Sequence, residues 1–330
     1  MSGLIARVAD GCFWFGRYVE RSESSARVLQ TTLGLALDGE LSPRQCWQPV
    51  LAVSGVEPDF LALEGEAAVD DGERVQAYLV WNEDCPVALC RSVAAARANA
   101  RTIREVLSAD AWGAVNEIYL WFGDPAARAA WAGPRDEFYE RVRRAAQLNL
   151  GLLRSTMLHD LALDFIWLGM LLERVGQTAR LLDVHHHALA GTDAHQVVET
   201  SVWLALLRAC SGVEPFMKAH AGRVTAGAVA AFLVGEARFP RSVAYCVRSA
   251  RERLAAIRPP DARGLPGGEA LARLSALDAW VRASTPGEPG ADLHRDLTHV
   301  VDETGAICET IARELLGGGP PAPTEVAHEP

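Results

Sequence analysis

The chain has a single lysine, Lys218, so 31 of its 32 basic residues are arginine. Acidic residues outnumber basic ones, 42 to 32, leaving a net charge of −10. That balance argues against non-specific nucleic-acid binding, which needs a basic face. No apolar run approaches the length needed to cross a bilayer. The first residues, Met1-Ser2-Gly3-Leu4-Ile5-Ala6-Arg7, lack the apolar stretch of a signal peptide. A soluble, cytoplasmic protein with no membrane partner is therefore expected. The seven cysteines (Cys12, Cys46, Cys85, Cys90, Cys210, Cys246 and Cys308) are scattered, odd in number and contain no CxxC. They fit free buried thiols in a reducing compartment better than a disulfide framework or a zinc site. Gly317-Gly318-Gly319 has no helix after it, so it is no phosphate loop. No Ser-His-Asp or Cys-His nucleophile can be assembled. Neither cofactor nor metal is expected. No segment alternates like a strand between hairpin turns.

What remains is helix. Val8, Cys12, Phe15, Val19, Ala26, Leu29 and Leu33 recur at three/four spacing, which predicts one helix ending near Asp38-Gly39. Short helices are expected over 45–54, 58–64 and 72–81, then a longer one from Val87 to Leu107. Asp110 is placed to cap the next. Gly133-Pro134 starts another, which ends near His159. A long helix from Leu161 to Leu189 opens the second half, followed by helices over 195–210, 225–235, 240–257, 268–283 and 291–315. The expected fold is an all-α bundle over 1–316, built on two pseudo-equivalent long central helices, with halves about 1–155 and 156–316. Residues 317–330, rich in glycine and proline, have no core-forming content and are expected to be a disordered tail.

The central helices carry a duplicated pattern. Trp14, Gly16, Glu20, Arg21, Ala26, Arg27 and Leu29 recur 153 residues later as Trp167, Gly169, Glu173, Arg174, Ala179, Arg180 and Leu182. Around each glutamate the helix is apolar on every face, the mark of a buried helix. Isolated buried charge is too costly, so Glu20, Arg21, Glu173 and Arg174 must be paired or meet a ligand. Gly16, Glu20, Ser24 and Arg27 form one stripe, and Gly169, Glu173, Gln177 and Arg180 form its twin. Glycine at matching helical positions costs about 1 kcal/mol relative to alanine, which suggests a close backbone crossing. Glu20 is then expected against Arg174 or Arg180, and Glu173 against Arg21 or Arg27. Three readings stay open: a register-fixing ion-pair network, an anion-binding pocket, and acid–base catalysis by Glu20 or Glu173.

Three arginines, Arg97, Arg101 and Arg104, share one flank of a further helix, with Asn99 nearby and Asn116 later. They repel unless an acid or an anion neutralises them. They form either a solvated surface row or a phosphate- or carboxylate-binding face. His185-His186-His187 cannot converge on one metal, because adjacent helical residues diverge; only Asp183 and His187 are four apart. His195 lies nearby in sequence. Asp160 and Asp164 resemble a magnesium-diphosphate pair without its second motif, and Asp160 also suits a helix cap. Most of the tryptophans suit the core. Trp112 is the one to watch, since it accompanies Asn116.

At these residues the chain resembles the bacterial alpha-E family of all-helical domains. The resemblance spans about residues 3–315. It rests on Gly16-Arg17-Tyr18-Val19-Glu20-Arg21, Ala96-Arg97-Ala98-Asn99-Ala100-Arg101 with Arg104-Glu105, Trp112 and Asn116, Leu171-Leu172-Glu173-Arg174, and Pro240-Arg241-Ser242-Val243. Ala98 departs from the pattern, which has glutamate there, and Cys85-Pro86-Val87-Ala88 is less polar than expected. The resemblance implies an accessory or substrate-binding role beside an ATP-grasp-type protein, often with a transglutaminase-like protease, in peptide- or amide-bond formation. An enzyme of amide chemistry using the Glu/Arg cluster, and a purely structural scaffold, are the alternatives.

Overall fold

The computed structural model describes residues 4–38, 41–190, 196–220, 224–258, 264–284, 286 and 292–318, with backbone alone at 187–190 and 196–198. Most of the expected tail, His195 and the side chain of His187 lie outside the described residues.

The described residues form helices and no strands, the all-α bundle that the three/four patterning predicts. In chain order they are α1 (Ala6–Asp38), α2 (Pro43–Ser54), α3 (Glu57–Glu64), α4 (Gly72–Trp81), α5 (Leu89–Thr102), α6 (Ala109–Gly123), α7 (Pro125–Ala132) and α8 (Arg135–Thr156). There follow α9 (Leu161–Ala190), α10 (Gln196–Ala209), α11 (Val213–Ala219), α12 (Ala226–Gly235), α13 (Val243–Ile257), α14 (Gly268–Ala283) and α15 (Leu293–Leu315).

Local chemistry sets the boundaries. Ser42 and Gln45 form a reciprocal capping box at the start of α2. The helix expected from Val87 to Leu107 stops at Thr102, whose hydroxyl donates to the Asn99 carbonyl at 2.8 Å. Ser108, not Asp110, caps α6, accepting from the Ala111 N–H at 3.2 Å; Asp110 sits in the first turn. Asp124 ends α6 and caps α7, with Pro125 in the tolerated first position. The sequence pattern missed α7 and α11, because eight or seven residues are too few to display a period. Helix α13 begins at Val243, behind the Ser242 cap, rather than at 240.

α1 and α9 form the centre. α1 packs against α5 and α8, with α6 touching both of those; α9 packs against α13 and α15, with α14 touching both. The two arrangements are counterparts, helix for helix. Where α1 meets α9, the backbones come close enough to exclude any side chain. A Cβ on Gly16 would lie 2.0 Å from the Ile166 carbonyl oxygen, and one on Gly169 would lie 2.0 Å from that of Phe13. Ile166 and Phe13 are themselves 153 residues apart, so each contact occurs twice about a local two-fold. Beyond the glycines, Glu20 and Arg21 meet Arg174 and Glu173. Contacts therefore advance together along both helices, which pass each other in the same sense.

Candidate functional site

One turn beyond the crossing lie two glutamate–arginine clusters, related by the same local two-fold. Glu20 is fully buried and accepts from Arg174 Nε at 2.9 Å and Nη2 at 2.6 Å, from Arg241 Nη1 at 2.8 Å and from Ser24 Oγ at 3.2 Å. Arg241 also donates to Glu23 Oε2 at 2.7 Å. Glu23 pairs with Arg27 one turn on and accepts from Gln147 at 3.0 Å. Arg174 donates a further bond to the Pro240 carbonyl at 3.1 Å. Burial raises the Glu20 carboxyl, but Arg174 and Arg241 overcome it and bring it down to about 2. This closed cluster sets three arginines (Arg27, Arg174, Arg241) against two carboxylates. Glu20, Glu23 and Arg27 are each at most 2 % exposed.

Its counterpart is built differently. Glu173 accepts from Arg21 Nε at 2.7 Å and Nη2 at 3.0 Å, from Arg17 Nε at 2.8 Å and from Gln177 at 3.3 Å. Gln177 repeats the role of Ser24. Against the cost of burial, Arg21 and Arg17 hold Glu173 well below the usual carboxylate range. Position 176, the counterpart of Glu23, is glycine, so Arg180 lacks the acid that Arg27 has. The Arg180 guanidinium lies over that glycine, where an added Cβ would come within 3.3 Å of its Nη2. Its buried Nε has no hydrogen-bond partner, and no ion pair involves Arg180 among the described residues. Burial lowers its pKa; Glu173 opposes that, and Arg21 and Arg17 reinforce it. Three arginines here face one carboxylate.

This open cluster borders a cavity of about 670 Å³ between α1, α9 and α15. Phe13, Trp14, Leu172, Val301 and Ala312 supply apolar wall, while Arg17, Glu173 and Arg180 supply the charged end. The Arg17 guanidinium stacks over Trp14, 4.9 Å from the ring centroid. Cys308 also lines the cavity, and burial raises its thiol pKa, which makes it a poor nucleophile. Glu309 and Arg313 stand at the α15 wall, where Arg313 is already paired with Glu269.

Of the residues singled out in the repeat, Glu20 pairs with Arg174 and Glu173 with Arg21. Arg27 and Arg180 take neither cross-helix partner. Arg27 turns to Glu23 on its own helix, and Arg180 stays unpaired because position 176 has no side chain. Sequence reasoning missed Arg17, Glu23 and Arg241 as members of the clusters. Arg17 is replaced by Met170 in the second copy, so identity between copies did not mark it. Arg241 stands just before the cap of α13; aligning the helix starts puts Val87 in its place before α5. That substitution is why Glu173 draws its second arginine from α1.

The second predicted group does not join this site. Arg97, Arg101 and Arg104 lie on the α5–α6 face. Arg97 Nε donates to Asn116 Oδ1 at 3.3 Å. Asn99 instead donates to the Ala95 carbonyl of its own helix at 2.8 Å, which keeps its amide away from the row. Asp160 caps α9, accepting from the Ala162 and Leu163 N–H groups, and Asp164 pairs with Arg253 at 2.9 Å. His185 Nδ1 is 2.8 Å from the Leu181 carbonyl, and Asp183 bonds His294. No group of three potential metal ligands converges among the described residues. No described helix is long and apolar enough to cross a membrane.

Comparison with known proteins agrees with the helical, glutamate–arginine character of this core. An uncharacterized protein of Mycobacterium bovis and uncharacterized proteins from two strains of Mycobacterium tuberculosis are each 26% identical over 301 residues. Each alignment covers 86% of this chain and 33% of the relative, so the chain spans about a third of the length of these relatives. No solved structure matches. Residues 4–316 match the family Alpha-E, described as a predicted alpha-helical domain with a conserved ER motif, and the chain belongs to that family.

Proposed function

We propose that this protein is a substrate-holding, non-catalytic partner in an ATP-dependent amide-forming system. In this reading it holds a carboxylate-bearing ligand with an apolar body in the cavity between α1, α9 and α15. The supporting observation is Arg180, a half-buried arginine that faces that cavity with no acid of its own. A guanidinium fork that lacks a partner recognises a carboxylate bidentately. The Trp14, Phe13 and Val301 wall suits the apolar remainder of such a ligand. The glutamates favour holding over proton transfer: Glu20 and Glu173 are both pinned by arginines and are poor bases near neutrality. The partner, an ATP-grasp-type protein with a transglutaminase-like protein as a third member, enters through the family resemblance alone; a cytoplasmic setting is suggested by the free cysteines.

The test is co-purification with the neighbouring ATP-grasp-type protein, followed by its ATP turnover with and without this chain. Association and altered turnover are expected, with the effect on turnover lost in Arg180→Ala at unchanged Tm. Absence of association together with unchanged turnover overturns the reading.

A further inference from the structure

The α5–α6 face carries a second cationic feature, independent of the cavity. Arg101 and Arg104 are exposed and Arg97 is half-buried, and among the described residues no carboxylate lies within ion-pair distance of any of the three. Other surface arginines on this acidic chain divide: Arg44 and Arg74 have acid partners, while Arg128 and Arg141 stack singly on Trp81 and Trp121. Two of the three are held in place by rings. The Arg104 guanidinium carbon sits 4.5 Å from the Trp112 centroid, and that of Arg97 sits 4.6 Å from Tyr119 and 5.9 Å from Trp112. Asn116 fixes Arg97 further through its Nε. Stacking restrains the guanidinium planes and leaves N–H groups at their edges to be shared. The nearest acids in sequence do not neutralise the row. Glu105 and Asp110 are exposed without an ion pair among the described residues, and Glu117 lines the groove on the α8 side of α6.

We infer that Arg97, Arg101 and Arg104, braced by Trp112 and Tyr119, form a docking surface for an acidic segment of a partner protein. Charge complementarity selects that occupant. A single-stranded nucleic acid would need free ring faces on which to stack its bases, and arginines already lie over those of Trp112 and Tyr119. The net charge of −10 also repels a long polyanion. A short run of carboxylates meets the arginine edges without needing a free ring face.

The test uses the full chain and a fluorescein-labelled hexaglutamate peptide, followed by fluorescence anisotropy. Binding is expected at low salt and should weaken several-fold at about 150 mM salt, as exposed charge contacts are screened. Arg101→Glu with Arg104→Glu, both exposed and free of ion pairs, should fold normally and lose about tenfold or more in affinity. Trp112→Leu should lose less, because the charges remain but their bracing goes. Arg180→Ala should bind like the unaltered chain. The inference is overturned if the peptide does not bind, or if the double variant binds as well as the parent. It is equally overturned if Arg180→Ala abolishes binding, or if a hexathymidylate oligonucleotide binds more tightly than the peptide.

Discussion

The two glutamate–arginine clusters descend from the same sequence pattern and end in different electrostatic states. The Glu20 cluster carries a second carboxylate, Glu23, and both acids are fully buried. The Glu173 cluster has glycine at the matching position and opens on a cavity. The difference teaches that a buried glutamate–arginine motif does not by itself define a binding site. What separates the two clusters is the acid missing beside Arg180, which leaves that guanidinium without a carboxylate next to a cavity.

The largest effect should come from removing either central acid. Glu20→Gln and Glu173→Gln should each cost about 3–5 kcal/mol in urea unfolding, because each strands buried arginines. The comparison is sharpened by added acetate or sulfate, which should recover part of the loss in Glu173→Gln, where the cavity admits an anion. Glu20→Gln should not recover; equal rescue of both would erase the distinction between open and closed.

Acidification probes the same pair. Glu20 is lowered from 4.5 to about 2 in the folded chain, and Glu173 is lowered as well. Their stabilisation is fully present above the unfolded value and is lost as pH falls through the folded ones. Tm should therefore drop steeply between pH 4.5 and 2, and the double Glu→Gln variant should show a flatter profile.

Gly16→Ala and Gly169→Ala strike the crossing that both clusters share. Each places a methyl on a backbone carbonyl that cannot rotate away. A loss of roughly 1–3 kcal/mol is expected, net of the helix propensity gained. The local two-fold makes the two losses similar, and a large inequality in measured Tm would argue against it.

The smallest change in stability is the most informative. Gly176→Glu supplies the missing acid. The neighbouring atom is the flexible tip of Arg180, which can yield to it. Tm should rise by an amount equivalent to about 1 kcal/mol or less, from helix propensity and the new pair. Carboxylate binding in the cavity, measured by calorimetry, should disappear. Persistence of binding would show that Arg180 is not the recognition element.

Much of this was legible in the sequence, for identifiable reasons. Periodicity located α1 and α9, and all-round apolarity around Glu20 and Glu173 identified buried helices. The paired glycines indicated the close crossing, because a glycine that costs helix stability twice at equivalent positions needs a steric cause. The partners from outside the repeat were not legible. Arg241 reaches Glu20 and Glu23 from more than two hundred residues away, and nothing in local spacing reports such a contact. The openness of one cluster also hinged on a single non-identity, Glu23 against Gly176, which a search for identities passes over. Boundaries slipped where side chains compete for backbone groups, as Thr102 and Ser108 do at the end of α5 and the start of α6.

The α1–α9 crossing carries a historical consequence. Because Gly16 meets Ile166 as Gly169 meets Phe13, the contact is isologous, the kind that two identical half-length chains would make with each other. In such a homodimer every substitution appears on both sides of the axis. One side could not be sealed while the other was left vacant. Joining the halves into one polypeptide removes that constraint, and the Glu23/Gly176 difference is a change that only the fused chain can carry.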